Sequence, residues 1–116
     1  MTQEERAILD LLLSIDFEGV AQLREQVSSV LVTGKCDCGC PSIELTVAPD
    51  VPRSTVPHRL APVEGVVAPA ADGPPGEVIL FVDDGKLSYL EYVHYSDPPP
   101  SDWPAIERIT VTTFQR

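Results

Sequence analysis

The sequence lacks any long apolar run. No stretch approaches the roughly 20 consecutive apolar residues that a membrane-spanning helix requires, and the runs that do occur, such as residues 78–82, have the length of a strand. The first residues, Met-Thr-Gln-Glu-Glu-Arg, are acidic where a secretory signal would be basic. We therefore expect a cytoplasmic protein, with no membrane partner, whose thiols stay reduced.

Positive charge is also scarce. The 116 residues include 8 Lys and Arg against 18 Asp and Glu, a net charge of −10. Such a chain repels phosphate backbones, so the composition disfavours a nucleic-acid partner. The same field favours a basic protein partner, although it also serves simply to keep a domain soluble. The oligomeric state does not follow from the composition.

Catalytic motifs are absent from the sequence as well. It contains no Gly-rich phosphate loop, no Gly-x-Ser-x-Gly elbow and no His-Glu-x-x-His helix. Nothing in the chain therefore points to an enzyme. The leading hypothesis is a small acidic cytoplasmic domain that acts in protein interaction or regulation. A metal-binding module is the alternative, and a small enzyme that uses a cysteine as its nucleophile is a third hypothesis.

Cysteine is rare but concentrated. The chain has only three cysteines, an odd number that disfavours a disulfide framework. All of them, Cys36, Cys38 and Cys40, fall within residues 34–41. Thiolates are ligands for zinc or copper(I). Sulfurs around a tetrahedral zinc ion lie about 3.8 Å apart, whereas alternate residues of an extended strand are about 6.6 Å apart. A zinc site here therefore requires the segment to curl.

A fourth zinc ligand must come from elsewhere in the chain or from solvent. His58 lies in a proline-rich segment and could fold over the cysteines, whereas the reach of His94 depends on strand order. Two other interpretations of the cysteines remain open. They can act as small buried apolar residues, or as redox-active thiols in which a Cys-x-Cys pair forms a strained disulfide.

The N-terminal quarter of the chain has the pattern of two helices. Thr2 and Glu5 have the spacing of a capping box, and apolar residues at helical intervals follow, which predicts a helix over about residues 3–14. Asp16 is suited to cap a second helix over about residues 17–28. We expect that helix to bury Phe17, Val20, Leu23 and Val27 and to turn Gln22, Glu25 and Gln26 outward.

The rest of the chain, from about residue 30 to 114, has the pattern of a sheet. Residues 42–47 alternate between polar and apolar, with Ser42 on the polar side, and Asp84-Gly85 predicts a type I′ hairpin. Residues 106–114 predict a last strand. The proline-rich residues 48–76 predict one edge strand near 60–67, where a missing amide is tolerated. The whole chain, residues 1–116, is thus expected to form a single α+β domain, with a helical pair packed on an antiparallel sheet of about five to six strands.

Trp103 follows a short proline-rich connector, residues 98–100. Tryptophan often anchors protein interfaces, so an exposed Trp103 would suit partner binding. Its large apolar area favours the other interpretation, that it covers one end of the core.

Two segments carry a resemblance to a known family. The Cys-Gly-Cys-Pro sequence at residues 38–41 and the Asp-Gly-Lys-Leu-Ser-Tyr-Leu-Glu sequence at residues 84–91 resemble the two signatures of a family of small bacterial proteins. The match covers about a quarter of the chain directly. The resemblance implies a turn at the cysteines and a hairpin at Asp84, and it implies no catalytic residues.

Overall fold

The computed structural model describes residues 1–69, 75–95 and 98–113. Two helices precede a six-stranded sheet, which confirms the α+β class. Within this part of the chain, neither helix is long and apolar enough to cross a membrane. The elements are α1 (Gln3–Leu12), α2 (Val20–Gln26), β1 (Leu31–Lys35), β2 (Ile43–Thr46), β3 (Leu60–Val67), β4 (Gly76–Asp83), β5 (Lys86–His94) and β6 (Ile109–Thr113).

Helix α1 begins at the predicted capping box. The amide of Glu5 donates to Thr2 Oγ1 at 3.1 Å, and the amide of Thr2 donates back to Glu5 Oε1 at 2.9 Å. The other carboxylate oxygen of Glu5 accepts a hydrogen bond from Trp103 Nε1 at 3.2 Å. The indole of Trp103 also stacks on Tyr92, with ring centroids 6.2 Å apart. Trp103 thus packs against the core, as its apolar area favours.

The start of the second helix was predicted wrongly. Helix α2 begins at Val20, after Gly19 in a left-handed conformation (φ 91°), and no side chain caps it. Asp16 instead forms an ion pair with Arg24 at 3.0 Å. The carbonyl of Gly19 accepts from the Ser54 hydroxyl at 2.7 Å. This contact with a distant loop fixes a conformation that glycine adopts most easily, so the helix starts three residues later than the Asp16 cap predicts.

Gln26 was also predicted wrongly, because it is fully buried and does not point outward. Its Nε2 donates to the carbonyls of Pro52 at 3.0 Å and Gly85 at 2.8 Å, and its Oε1 accepts from the amide of Leu87 at 2.9 Å. One side chain therefore satisfies three backbone groups. Such full pairing is what makes a buried amide tolerable.

The six strands run in the order β1-β2-β5-β4-β3-β6, and each neighbouring pair is antiparallel. The strand predicted inside the proline-rich segment exists, but its predicted edge position is wrong, since β3 lies between β4 and β6. Pro62 sits where the β3–β4 register shifts, between Leu60 and Glu64. The irregular pairing accommodates the missing amide of the proline in an interior strand.

The last strand is shorter than predicted. Residues Ile106–Arg108 form a 3-10 turn, and β6 begins only at Ile109. The predicted end of the strand, Phe114, lies outside the described residues.

One face of the sheet carries the core. Helix α1 contacts β3 and helix α2 contacts β5, and their buried residues join one cluster with Val63, Leu80 and Leu90. The opposite side, called the open face, has no helix over it among the described residues. The open face consists of Glu44 and Thr46 of β2, Tyr89, Glu91 and Val93 of β5, Glu77, Ile79 and Phe81 of β4, Leu60, Glu64 and Val66 of β3, and Thr110 and Thr112 of β6.

Candidate metal centre

The three cysteines lie in the connection between β1 and β2. Residues 36–42, called the cysteine turn, join two neighbouring antiparallel strands. The amide of Cys36 donates to the carbonyl of Ser42 at 3.1 Å and closes the loop. Gly39, at φ 94°, supplies the left-handed residue that reverses the chain. The predicted bend between adjacent strands is confirmed.

The bend brings the sulfurs together. All three Sγ atoms lie within 4.8 Å of one another. Cys36 Sγ and Cys38 Sγ are 2.8 Å apart, and Cys38 Sγ accepts from the amide of Cys40 at 3.3 Å. The segment therefore curls as a metal site requires. Reaching the sulfur separation of about 3.8 Å expected around zinc needs the closest pair to open by about 1 Å.

The three cysteines of the turn differ in their exposure to solvent. Cys40 is 8 % exposed, Cys36 is half-buried, and Cys38 is exposed. All three are free thiols. One sulfur is thus anchored in the protein while another faces solvent. The group of three is accessible from outside, so an ion bound there would keep an open coordination position.

Hydrogen bonds within the cysteine turn shift the pKa values of Cys40 and Cys38 in opposite directions. Burial opposes the ionisation of Cys40, but hydrogen bonds with Cys38, Ser42 and Cys36 outweigh it and lower the pKa of Cys40 to about 7. The hydrogen bond with Cys36, followed by that with Cys40, raises the pKa of Cys38 to about 11. At pH 7 about half of the Cys40 thiols are therefore ionised, and the thiolate is a ready ligand for a cation.

Ser42 supports this arrangement, and its burial was not predicted. It is 1 % exposed; its Oγ accepts from the amide of Tyr92 at 3.0 Å and lies 3.5 Å from Cys40 Sγ. The alternating pattern of β2 placed this serine on the polar side. Its position directly after the Cys-Pro pair was the only sequence signal that linked it to the cysteines.

Tyr89 lies beside the cysteine turn on the open face. Burial raises the pKa of Tyr89, and the nearby negative charges of Cys36 and Cys40 add to the shift. Its ring packs edge-on against Phe81, with centroids 5.8 Å apart. The candidate metal centre therefore adjoins the open face.

The structure places His58 elsewhere. His58 lines a cleft that also includes Asp84 and Gly85, the residues of the β4–β5 turn. The cysteine turn precedes Ile43, which pairs with Leu90 of β5. Leu90 is five residues from Gly85, about 17 Å along a strand. His58 is not part of the three-sulfur group.

His94 is likewise outside the three-sulfur group. It ends β5, and its ring packs edge-on against Tyr92 with centroids 6.4 Å apart. Its Nδ1 is buried without a hydrogen-bond partner among the described residues. The described part of the chain thus offers three sulfur ligands and no histidine at the site.

Comparison with protein-family models, with curated proteins and with solved structures finds no match to this chain. The resemblance to small bacterial proteins with a Cys-Gly-Cys-Pro turn stays a prediction. The function is therefore inferred from the geometry of the chain's own residues.

Proposed function

We propose that the cysteine turn binds a thiophilic metal ion, with zinc(II) as the first candidate, through Cys36, Cys38 and Cys40. The observation that carries this proposal is the approach of the three Sγ atoms to within 4.8 Å of one another. Thiolates are preferred ligands of zinc and copper(I). Three cysteines spaced along a regular strand would not converge in this way.

The site has the character of an exchange site more than of a structural one. Structural zinc sites have four protein ligands and exclude solvent, whereas this turn offers three sulfurs and exposes Cys38. The hydrophobic core packs between the helices and the sheet without drawing on the turn. We therefore expect binding that is reversible, with water or an external ligand in the remaining position, and a fold that does not depend on the ion.

Elemental analysis tests this proposal on protein that has been incubated with zinc or copper(I) under reducing conditions and then desalted. We expect about one equivalent of the ion, because three converging thiolates favour these soft metals. The triple variant Cys36→Ser, Cys38→Ser, Cys40→Ser should retain none. His58→Ala is the matched control, because it removes a candidate ligand that lies at the other end of β5, and it should retain the wild-type amount.

Two results would end the proposal. One is wild-type protein that holds less than about a tenth of an equivalent after incubation with zinc or copper(I) and desalting. The other is a triple variant that retains as much metal as wild type. Loss of metal in His58→Ala with its cysteines intact would show instead that His58 reaches the turn when an ion is bound.

One observation favours a second candidate function, reversible thiol oxidation. The sulfurs of Cys36 and Cys38 are 2.8 Å apart. Exchange with a small disulfide such as oxidised glutathione would join them, releasing two molecules of reduced glutathione and leaving a strained Cys-x-Cys ring. Mass spectrometry after this treatment should show the loss of two hydrogen atoms. Prior loading with zinc should prevent that loss if the metal-binding proposal is correct.

A further inference from the structure

The open face is the largest surface of the sheet that no described element covers. Its centre is apolar. Phe81 and Tyr89 pack edge-on at 5.8 Å, Ile79 and Val93 flank them as half-buried side chains, and Val66 is 43 % exposed. Contiguous apolar side chains that remain accessible on a sheet often mark an interaction site.

Carboxylates lie among these apolar side chains. Glu44 pairs with Tyr89 across β2 and β5, Glu91 pairs with Ile79, and Glu77 pairs with Val93. The ion pairs among the described residues join Arg6 with Asp10, Arg24 with Asp16, and Arg53 with Asp84. Glu44, Glu77 and Glu91 thus have no cationic partner in the part of the chain that the structure describes. None of the residues assigned above to the open face is Lys, Arg or His; Lys86, which pairs with Asp83 at the hairpin end of the same side, donates to the carbonyl of Pro49 at 3.3 Å.

We propose that the open face docks a basic partner protein. An apolar side chain of the partner would pack on Phe81 and Tyr89, while its Lys or Arg side chains would pair with Glu44, Glu77 and Glu91. Charge complementarity favours this partner, since the acids among the apolar side chains belong to a chain of net charge −10. A second copy of this chain fits poorly, because it would bring the same carboxylates against one another.

The size of the face limits the surface area that a complex can bury there. The face spans five strands, and four spacings of about 4.8 Å between them give a width of about 20 Å. Along each strand it spans six residues of about 3.3 Å, which give a similar height, so its area is about 400 Å². A standard stable interface takes about 800 Å² from each partner. We therefore expect a transient complex that weakens as salt is added.

The test uses a defined probe, a synthetic peptide that alternates lysine with leucine, and compares two doubly charge-reversed variants. Glu77→Lys with Glu91→Lys alters the open face. Glu18→Lys with Glu25→Lys changes the net charge by the same amount on the helical side, where both residues are exposed. We expect the open-face double variant to bind the peptide at least about tenfold more weakly than the wild type does. The helical-side double variant should bind it less than about threefold more weakly.

Amide chemical shifts of the wild-type protein give a measurement that does not depend on whether a variant folds. Addition of the peptide should shift residues 77–81 and 89–93 and leave α1 and α2 unchanged. The proposal is overturned by equal losses in both double variants, by shifts confined to the helices, or by the absence of binding at low salt. A dimer of this chain that forms through the open face in solution would also overturn it.

Discussion

Two turns of the same sheet differ in almost every respect. The β4–β5 turn has two residues, Asp84 and Gly85, both at positive φ (52° and 74°), as the predicted type I′ geometry requires. The carbonyl of Gly85 accepts from the amide of Ser54 and from Gln26, each at 2.8 Å. The cysteine turn is longer, and the position of a Cβ on its Gly39 has no atom within 4 Å.

The comparison indicates that the β4–β5 turn stabilises the fold, whereas the cysteine turn contributes little to stability and carries the reactive side chains. The short turn is surrounded by backbone from a distant loop and by a buried glutamine, so changes to it should cost stability. The cysteine turn has an exposed thiol at Cys38 and an exposed Gly39. Changes to it should cost little stability and remove the proposed function.

The largest effect should come from Gln26→Ala. It removes three hydrogen bonds and leaves the amide of Leu87 and the carbonyl of Pro52 without this partner, while the carbonyl of Gly85 keeps its bond from the Ser54 amide. At about 1–3 kcal/mol for each unsatisfied buried group, partly offset by entering water, we expect a loss of about 4 kcal/mol in the free energy of unfolding. Urea denaturation measures this. Gln22→Ala on the same helix is the control and should cost less than about 0.5 kcal/mol.

The two turn glycines give the next comparison. In Gly85→Ala a Cβ would lie 2.7 Å from the Ser54 carbonyl oxygen and 2.8 Å from Arg53 Cβ, in addition to the strain of positive φ. In Gly39→Ala only the strain remains. We expect losses in unfolding free energy of about 3 kcal/mol at Gly85 and about 1 kcal/mol at Gly39. Equal losses at the two positions would contradict the distinction between the turns.

The triple serine variant of the cysteine turn should unfold close to the wild type in metal-free buffer. Only Cys40 is buried, and serine is nearly isosteric with cysteine, so we expect a change of less than about 1 kcal/mol. Denaturation in the presence of a chelator measures this difference. A loss as large as that of Gln26→Ala would show that the thiols are structural.

The smallest expected effect is a change in the ionisation of Cys40 with pH. Because the pKa of Cys40 is lowered from 9.0 to about 7, metal-free protein should gain its first thiolate as the pH rises through about 7. Thiolate absorbance in the ultraviolet follows this step, which Cys40→Ser should remove. Protons compete with the metal for the same sulfur, so the affinity for zinc should fall as the pH is lowered below about 7 and should not fall as the pH is raised.

Local patterns predicted the elements because each depends on residues close in sequence. The capping box of Thr2 and Glu5 and the Asp84-Gly85 hairpin involve neighbours only, and both are confirmed. Gln26 could not be placed in this way, since its partners lie 26, 59 and 61 residues away. The interior position of β3 likewise depends on which distant strands pair with it.

The residues of the candidate site also differ in whether their positions depend on neighbours in the sequence or on distant residues. The three cysteines were identified from their spacing, and one turn is enough to bring them together. Ser42 was missed because its burial depends on the amide of Tyr92, 50 residues away. The position of His58 depends on the course of the proline-rich segment, which carries it beside the β4–β5 turn. No pattern of neighbouring residues predicts the path of that proline-rich segment.

X-ray absorption spectroscopy of the zinc-loaded protein tests the metal site most directly, because it counts the sulfur atoms around the ion. We predict three sulfurs at about 2.3 Å from the zinc ion and one lighter atom in the remaining position. A first shell made only of nitrogen and oxygen, or an unchanged spectrum after the three cysteines are replaced with serine, would contradict it.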